Sequence, residues 1–372
     1  MWKRAAILVG VLLVMAAASL YVQAALPGPT GPYSVGRTEF RFVDEARLEI
    51  ATGDPLDVRE VPVEVWYPAV AGTGRVAPYF PGLDAVRDGL RRSGEVASLE
   101  LLGLPLIRSG EWLDAELAGN PDRFPLVLFS PGNGTNAEFY ATIAGDLASH
   151  GFVVVAINHP YDIAAVALAG GEVAVFPRRS GPTRPEELEE RVDVRAADIL
   201  FVLDRLASLS AAGDALASRL DFGRVAALGH SIGGIAAAQA CIRDVRFRAC
   251  GNLDGIQAGG PFAVIDLLTG PDVPFLFMTK ESGLAPGLVR LLEERYSATY
   301  AVLIDGARHD SFSDAAVLRP SLLPFRNAAD RHLELIRQTT LAFLTAAFGG
   351  WRPALVDEDG LRVVVFAERS PP

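Results

Sequence analysis

The sequence predicts an α/β protein, a mostly parallel central sheet with helices on both faces. Three observations carry this. Short apolar runs recur along the chain, at Leu126 to Phe129, Phe152 to Ile157, Val225 to Leu228, Phe275 to Met278 and Tyr300 to Ile304. Longer stretches between several of them space their apolar residues as a helix does, as at Ile199, Val202 and Leu206. Runs with no polar alternation have no water-facing side, so they belong in a sheet covered on both faces. Finally, 50% of the 372 residues are hydrophobic, ample for a large core and too many for a disordered chain.

Taken in order, the chain opens on Trp2-Lys3-Arg4, and Ala5 to Val22 is almost wholly apolar. Val22-Gln23-Ala24 then offers small residues for cleavage after Ala24, so residues 1–24 read as a secretory signal peptide. The apolar run can also just span a bilayer, which makes an uncleaved anchor the alternative. Both readings place the remainder outside the cytoplasm. Residues 25–36, rich in Pro and Gly, read as a linker, and 37–372 as a single domain. Glu39 to Ile50 and Val61 to Tyr67 alternate like early strands. The strand rhythm then breaks from Pro78 to Pro121, where Leu83, Val86 and Leu90, and later Leu101 to Ile107, have helical spacing. This segment reads as an inserted cap or lid. Ala137 to His150, Glu186 to Leu206, Ile232 to Cys241 and Ala328 to Phe348 read as helices between and after the strands.

Charge removes some functions. The formal net charge is -11, which is unsuited to nucleic-acid binding and gives no general attraction to anionic membranes. Only two lysines occur, Lys3 and Lys280, so Schiff-base chemistry would rest on Lys280 alone. The two cysteines, Cys241 and Cys250, have no nearby histidine and make no zinc site. An exported chain can join them as a disulfide; two buried thiols are the alternative. No metal or organic cofactor is implied.

The chemistry centres on Gly229-His230-Ser231-Ile232-Gly233, a G-x-S-x-G. In this motif the serine occupies a sharp, strained turn between strand and helix, which only closely packed glycines permit. The motif is weak alone. Here the apolar run Val225 to Leu228 precedes it and the small-residue run Ile232 to Cys241 follows, the setting that an α/β-hydrolase nucleophile elbow demands. Ser231 is then the nucleophile.

In that fold the order is serine, acid, histidine. His150, His159 and His230 precede Ser231, and His332 lies within the last helical pattern. His309, in the turn-rich Asp305-Gly-Ala-Arg-His309-Asp-Ser after a strand, is therefore the base. Two carboxylates follow strands: Asp254, before Gly255 in a tight turn, and Glu281. Spacing barely separates them. The oxyanion site needs two backbone N–H groups, one from Ile232 and one from a loop after an earlier strand. Ser130-Pro131-Gly132-Asn133-Gly134 is such a loop, and the Asn133 N–H is the second donor.

These segments resemble a known family. Leu-Val-Leu-Phe-Ser-Pro-Gly-Asn-Gly from Leu126, Leu147-Ala-Ser-His-Gly-Phe152, Gly-His-Ser-Ile-Gly-Gly, Asn252-Leu-Asp-Gly255 and Gly306-Ala-Arg-His309 are similar to the platelet-activating-factor acetylhydrolases. Asp84 to Trp112 and the tail after Gly349 show no such likeness. The resemblance implies a calcium-independent hydrolase that cleaves short or oxidised acyl chains from glycerophospholipids. It also implies the acid soon after the strand that follows the nucleophile helix, which selects Asp254. Pro131 departs from the family, which often has histidine there. A secreted general carboxylesterase or polyester (cutinase-like) hydrolase is the second reading, and a binding protein on a retired hydrolase scaffold the third. The partner expected is a small ester or phospholipid, with possible contact of the 78–121 segment to a lipid surface; the oligomeric state is left open.

Overall fold

The computed structural model describes residues 26–177, 184–255, 273–280, 298–318, 323–351 and 360–366, with positions 10, 353 and 355. The segment 1–24 lies outside them apart from residue 10. The strands are β1 (Ser34–Leu48), β2 (Val58–Ala69), β3 (Arg75–Val76), β4 (Trp112–Leu113), β5 (Phe124–Ser130), β6 (Val153–Ile157), β7 (Ala165–Ala167), β8 (Val173–Val175), β9 (Leu220–His230), β10 (Phe247–Leu253), β11 (Phe275–Lys280), β12 (Thr299–Ile304) and β13 (Leu361–Phe366). All but β7 and β8, which form a separate hairpin, join one sheet in the order β13-β12-β11-β10-β9-β5-β6-β2-β1-β4-β3.

The pairs from β6 through β5, β9, β10 and β11 to β12 are all parallel. All of these but β10 are the strands read from continuous apolar runs, and β5 and β6 are buried at every position. The antiparallel pairs lie outside this block, where β1 pairs β2, β2 pairs β6 and β13 pairs β12.

Helices cover both faces, each over its own apolar cluster. One cluster takes in the helices α1 (Leu83–Ser93) and α2 (Ser98–Gly103) of the inserted segment, with α3 (Ala141–Ser149) and the long C-terminal helix Leu323–Gly349. The other takes in α4 (Pro185–Ala211) and α5 (Ile232–Arg243). α4 turns a stripe of Leu188, Val192, Ala196, Ile199, Val202 and Leu206 inward, the helical period read from the sequence.

Two expectations need correction. The 25–36 stretch is no free linker. Leu26 is buried, Thr30 donates twice to Asp146 (2.8 and 2.7 Å), and the Tyr33 N–H donates to the Ser149 carbonyl (3.1 Å). A Cβ at Gly31 would strike that same carbonyl, so the glycine is what lets this stretch lie against α3. Nor is the inserted segment wholly a cap, because its β4 pairs with β1 and extends the sheet. Trp112 sits in that strand, half-buried, and not at the site's mouth.

Candidate active site

Four parallel strands deliver the site at their carboxyl ends: β5 ends at Ser130, β9 at His230, β10 at Leu253 and β12 at Ile304. The chain runs from β5 to β6 on one side and later returns as β9 on the other, so the order reverses between β5 and β9. Such a switch point opens a crevice above the strand ends.

The elbow is built as its sequence requires. Ser231 has φ 56° and ψ -128°, a strained conformation for a residue with a Cβ. A Cβ at Gly229 would collide with the Gly233 carbonyl, and one at Gly233 with the Ser130 carbonyl. The two glycines therefore let β9, α5 and the loop after β5 meet.

The His309 Nε2 lies 2.9 Å from Ser231 Oγ, and its Nδ1 lies 2.6 Å from Asp254 Oδ2. A carboxylate only accepts, so Nδ1 carries the proton and Nε2 is left to accept from the serine hydroxyl. Burial opposes ionisation of Asp254, but hydrogen bonds from His309 and Thr279 (2.6 Å) outweigh it and hold the carboxyl below its ordinary range. The Lys280 ammonium, 3.8 Å from Asp254, acts in the same direction. Glu281, the other carboxylate considered, lies outside the described residues.

Ser231 is 9% exposed and the His309 side chain 48%, so both meet a cleft of about 570 Å³. Val96, Asn133, Phe139, Leu188, Arg191 and Ile232 are among its walls. In the loop after β5, the Gly132 N–H donates to Tyr140 Oη (2.9 Å), that of Gly134 to the Asp162 carbonyl (3.2 Å), and that of Thr135 to the Gly132 carbonyl (3.2 Å). The Asn133 N–H has no partner among the described residues. The Ile232 N–H belongs to the first turn of α5, whose donors have no intrahelical acceptor. The structure thus brings Ser231, His309, Asn133 and Ile232 to one cleft, with Asp254 buried behind His309.

Sequence reasoning missed the role of His230. Tyr140 Oη accepts from Gly132, so its own proton goes to His230 Nδ1, 2.8 Å away. The His230 ring stacks on Phe312 and lies 4.6 Å, centroid to centroid, from the His309 ring. Burial, and then the neighbouring His309, push its pKa down to about 3. The signal was present, since His230 occupies the x of the motif, but its partner Tyr140 is 90 residues away.

A second array has the same chemistry and no access. Ser130 Oγ lies 2.9 Å from His159 Nε2, and His159 Nδ1 lies 2.8 Å from Asp198, with all three side chains fully buried. Burial lowers the His159 pKa to about 4, and no substrate reaches the group. It supports the root of the loop after β5.

Comparison by sequence finds relatives of this chain. The family described as platelet-activating factor acetylhydrolase, isoform II, matches residues 19–173. The platelet-activating factor acetylhydrolase of Cavia porcellus is 25% identical over 361 residues, covering 87% of this chain and 78% of the relative. Over these matched stretches the chain is similar to the platelet-activating-factor acetylhydrolases. A probable 1-alkyl-2-acetylglycerophosphocholine esterase of Arthroderma benhamiae is 27% identical over 242 residues, 62% of this chain. The chain spans 58% of that relative's length in the match. Among solved structures, a ferulic acid esterase from Streptomyces cinnamoneus superposes with a TM-score of 0.70 at 24% identity, over 91% of this chain and 98% of that one. That likeness is one of fold, and the fold is the α/β-hydrolase fold.

Proposed function

We propose that this chain is a serine esterase that releases short or oxidised acyl chains from glycerophospholipid-like esters through an acyl-enzyme. The observation that carries the reading is the unbroken series from Asp254 through His309 to Ser231, opening on a cleft beside the unpartnered Asn133 N–H. Ser231 Oγ attacks the ester carbonyl while His309 Nε2 takes its proton, and His309 then protonates the departing alcohol. Asp254 keeps the proton of neutral His309 on Nδ1 and stabilises the imidazolium. The N–H groups of Ile232 and Asn133 receive the charge on the tetrahedral oxygen. Water, activated by the same histidine, completes hydrolysis.

The inserted segment supports contact with lipid. Leu101, Leu104 and Ile107 are buried, whereas Leu102 is 72% and Leu106 50% exposed. The same segment supplies Val96 and Glu100 to the wall of the cleft. Exposed leucines on a segment that also walls the cleft suit an enzyme that draws esters from membranes or particles. The N-terminal segment and a disulfide between Cys241 and Cys250, stable in oxidising compartments, support export from the cytoplasm.

Turnover of a series of 2-acyl-glycerophosphocholines of increasing chain length, beside aryl esters and a polyester film, tests the reading. The expected result is highest kcat/KM for the acetyl lipid, with a steep fall as an unoxidised chain lengthens. Flat chain-length dependence with strong polyester turnover would establish the general esterase instead.

A further inference from the structure

We propose that Arg195 is a positioning residue for the reaction: its buried guanidinium fixes the peptide that presents the Asn133 N–H to the tetrahedral intermediate. The inference rests on the esterase reading and assigns how its oxyanion site is held.

Arg195 is fully buried on α4, three residues after Val192 and four before Ile199 on the apolar stripe. A guanidinium in that place requires partners for its donors. Nε donates to the Asp162 carboxylate, Nη1 to the Pro131 carbonyl at 2.6 Å, and Nη2 to the carbonyls of Asp162 at 2.9 Å and Gly132 at 3.5 Å. Burial opposes the charge on Asp162, yet Arg195 and Arg191 bring its pKa down to about 2. One side chain therefore grips the two successive carbonyls at the start of the loop.

The consequence follows from peptide geometry. In a trans peptide the C=O and the following N–H point in opposite directions. With the Pro131 carbonyl turned onto Arg195, the Gly132 N–H faces away and meets Tyr140 Oη. With the Gly132 carbonyl held by Arg195 Nη2 and by the Thr135 N–H, the Asn133 N–H faces away from both. It is also the N–H of residues 132–135 without a partner among the described residues. One turn earlier on the same helix, Arg191 donates to the Asn133 side chain and to Asp162, so α4 holds this loop by backbone and side chain together.

Arg195→Lys separates this role from simple packing. Lysine keeps the charge opposite Asp162, but a single ammonium lacks the planar fork that spans these carbonyls. Competent sites are counted by fluorophosphonate labelling run to completion. Per labelled site, kcat on a soluble aryl acetate should fall about 10²–10³-fold, the loss seen when one oxyanion donor is removed. KM should stay within about threefold, and affinity for a trifluoromethyl ketone, whose hemiketal oxygen occupies the same position, should fall in parallel with kcat. If Arg195→Lys does not fold, the double variant Arg195→Met/Asp162→Asn removes both buried charges and takes the same measurements. Wild-type kcat per labelled site with unchanged ketone affinity, in whichever variant folds, overturns the inference. Failure of the wild-type protein to label or turn over ester would instead overturn the esterase reading beneath it.

Discussion

Asp254 concentrates several demands on one residue. Its φ of 47° places it in the left-handed region, its N–H donates to the Met278 carbonyl at 2.7 Å, and its two oxygens are divided between Thr279 and His309. Asp254→Asn keeps the shape but presents an amide to His309 Nδ1, which favours the wrong tautomer. We expect kcat to fall by as much as about 10⁴-fold with KM little changed. Activity near wild type would remove Asp254 from the mechanism. At this scale the sequence was informative where residues lie close together: Gly229, Ser231, Ile232 and Gly233 sit within one turn, and their geometry follows from sterics. The choice between Asp254 and Glu281 was not resolved by spacing and came from the family resemblance. Arg195 left a readable sign, a charge on the apolar stripe of a helix, but the loop carbonyls of Pro131 and Gly132 are 64 and 63 residues away and no local pattern points to them.

Among elements, the strands read best were those buried on both faces, because an uninterrupted apolar run leaves little ambiguity. The short pairs β3 with β4 and β7 with β8 were missed, since two or three residues carry no period. β13 does have a β-branched run, but only the structure shows it closing antiparallel on β12. The disulfide is an element-scale device. Cys241 and Cys250, with Cα atoms 6.5 Å apart, tie the end region of α5 to β10, the strand that leads to Asp254. Replacing both with alanine should cost about 2–3 kcal/mol on the chain-entropy account of a loop of this size. Chemical denaturation of the two proteins measures this, and equal stabilities would show the bond to be thermodynamically idle. The inserted segment makes a separable prediction. Leu102→Ser and Leu106→Ser should weaken turnover of aggregated phospholipid severalfold while sparing a small soluble aryl ester. Equal losses on both, with a lower melting temperature, would reduce these residues to structural support.

Across the whole molecule, stability should carry the mark of buried acids that do not themselves line the cleft. Burial raises the Asp314 pKa to about 7 despite hydrogen bonds from Thr142 and Tyr79, and raises that of Glu138 to about 8 with Glu64 adding to it. Between about pH 4, where such a carboxyl ionises in the unfolded chain, and about pH 7, the folded state keeps a proton that the unfolded state has lost. Stability from Asp314 is therefore full at the acid end of that window and is lost as pH rises through it. Asp314→Asn should flatten this decline and raise the melting temperature at about pH 8 relative to wild type. A melting temperature lowered by the same amount at every pH would show that the carboxylate's hydrogen bonds outweigh its burial. Sequence reasoning found the fold and the cleft because apolar runs and a glycine-bounded serine are local. It did not find this buried acidic group, whose members come from elements far apart in the chain.

The central claim is that Ser231 forms the covalent intermediate. Incubating the purified protein with a fluorophosphonate and mapping the adduct by peptide mass spectrometry tests it directly, with acetyl-glycerophosphocholine hydrolysis followed in parallel. The account predicts one adduct, on the Ser231 peptide, loss of hydrolysis in step with labelling, and neither adduct nor hydrolysis in Ser231→Ala. Labelling at another residue, or hydrolysis by a folded Ser231→Ala protein at near wild-type rate, would contradict it.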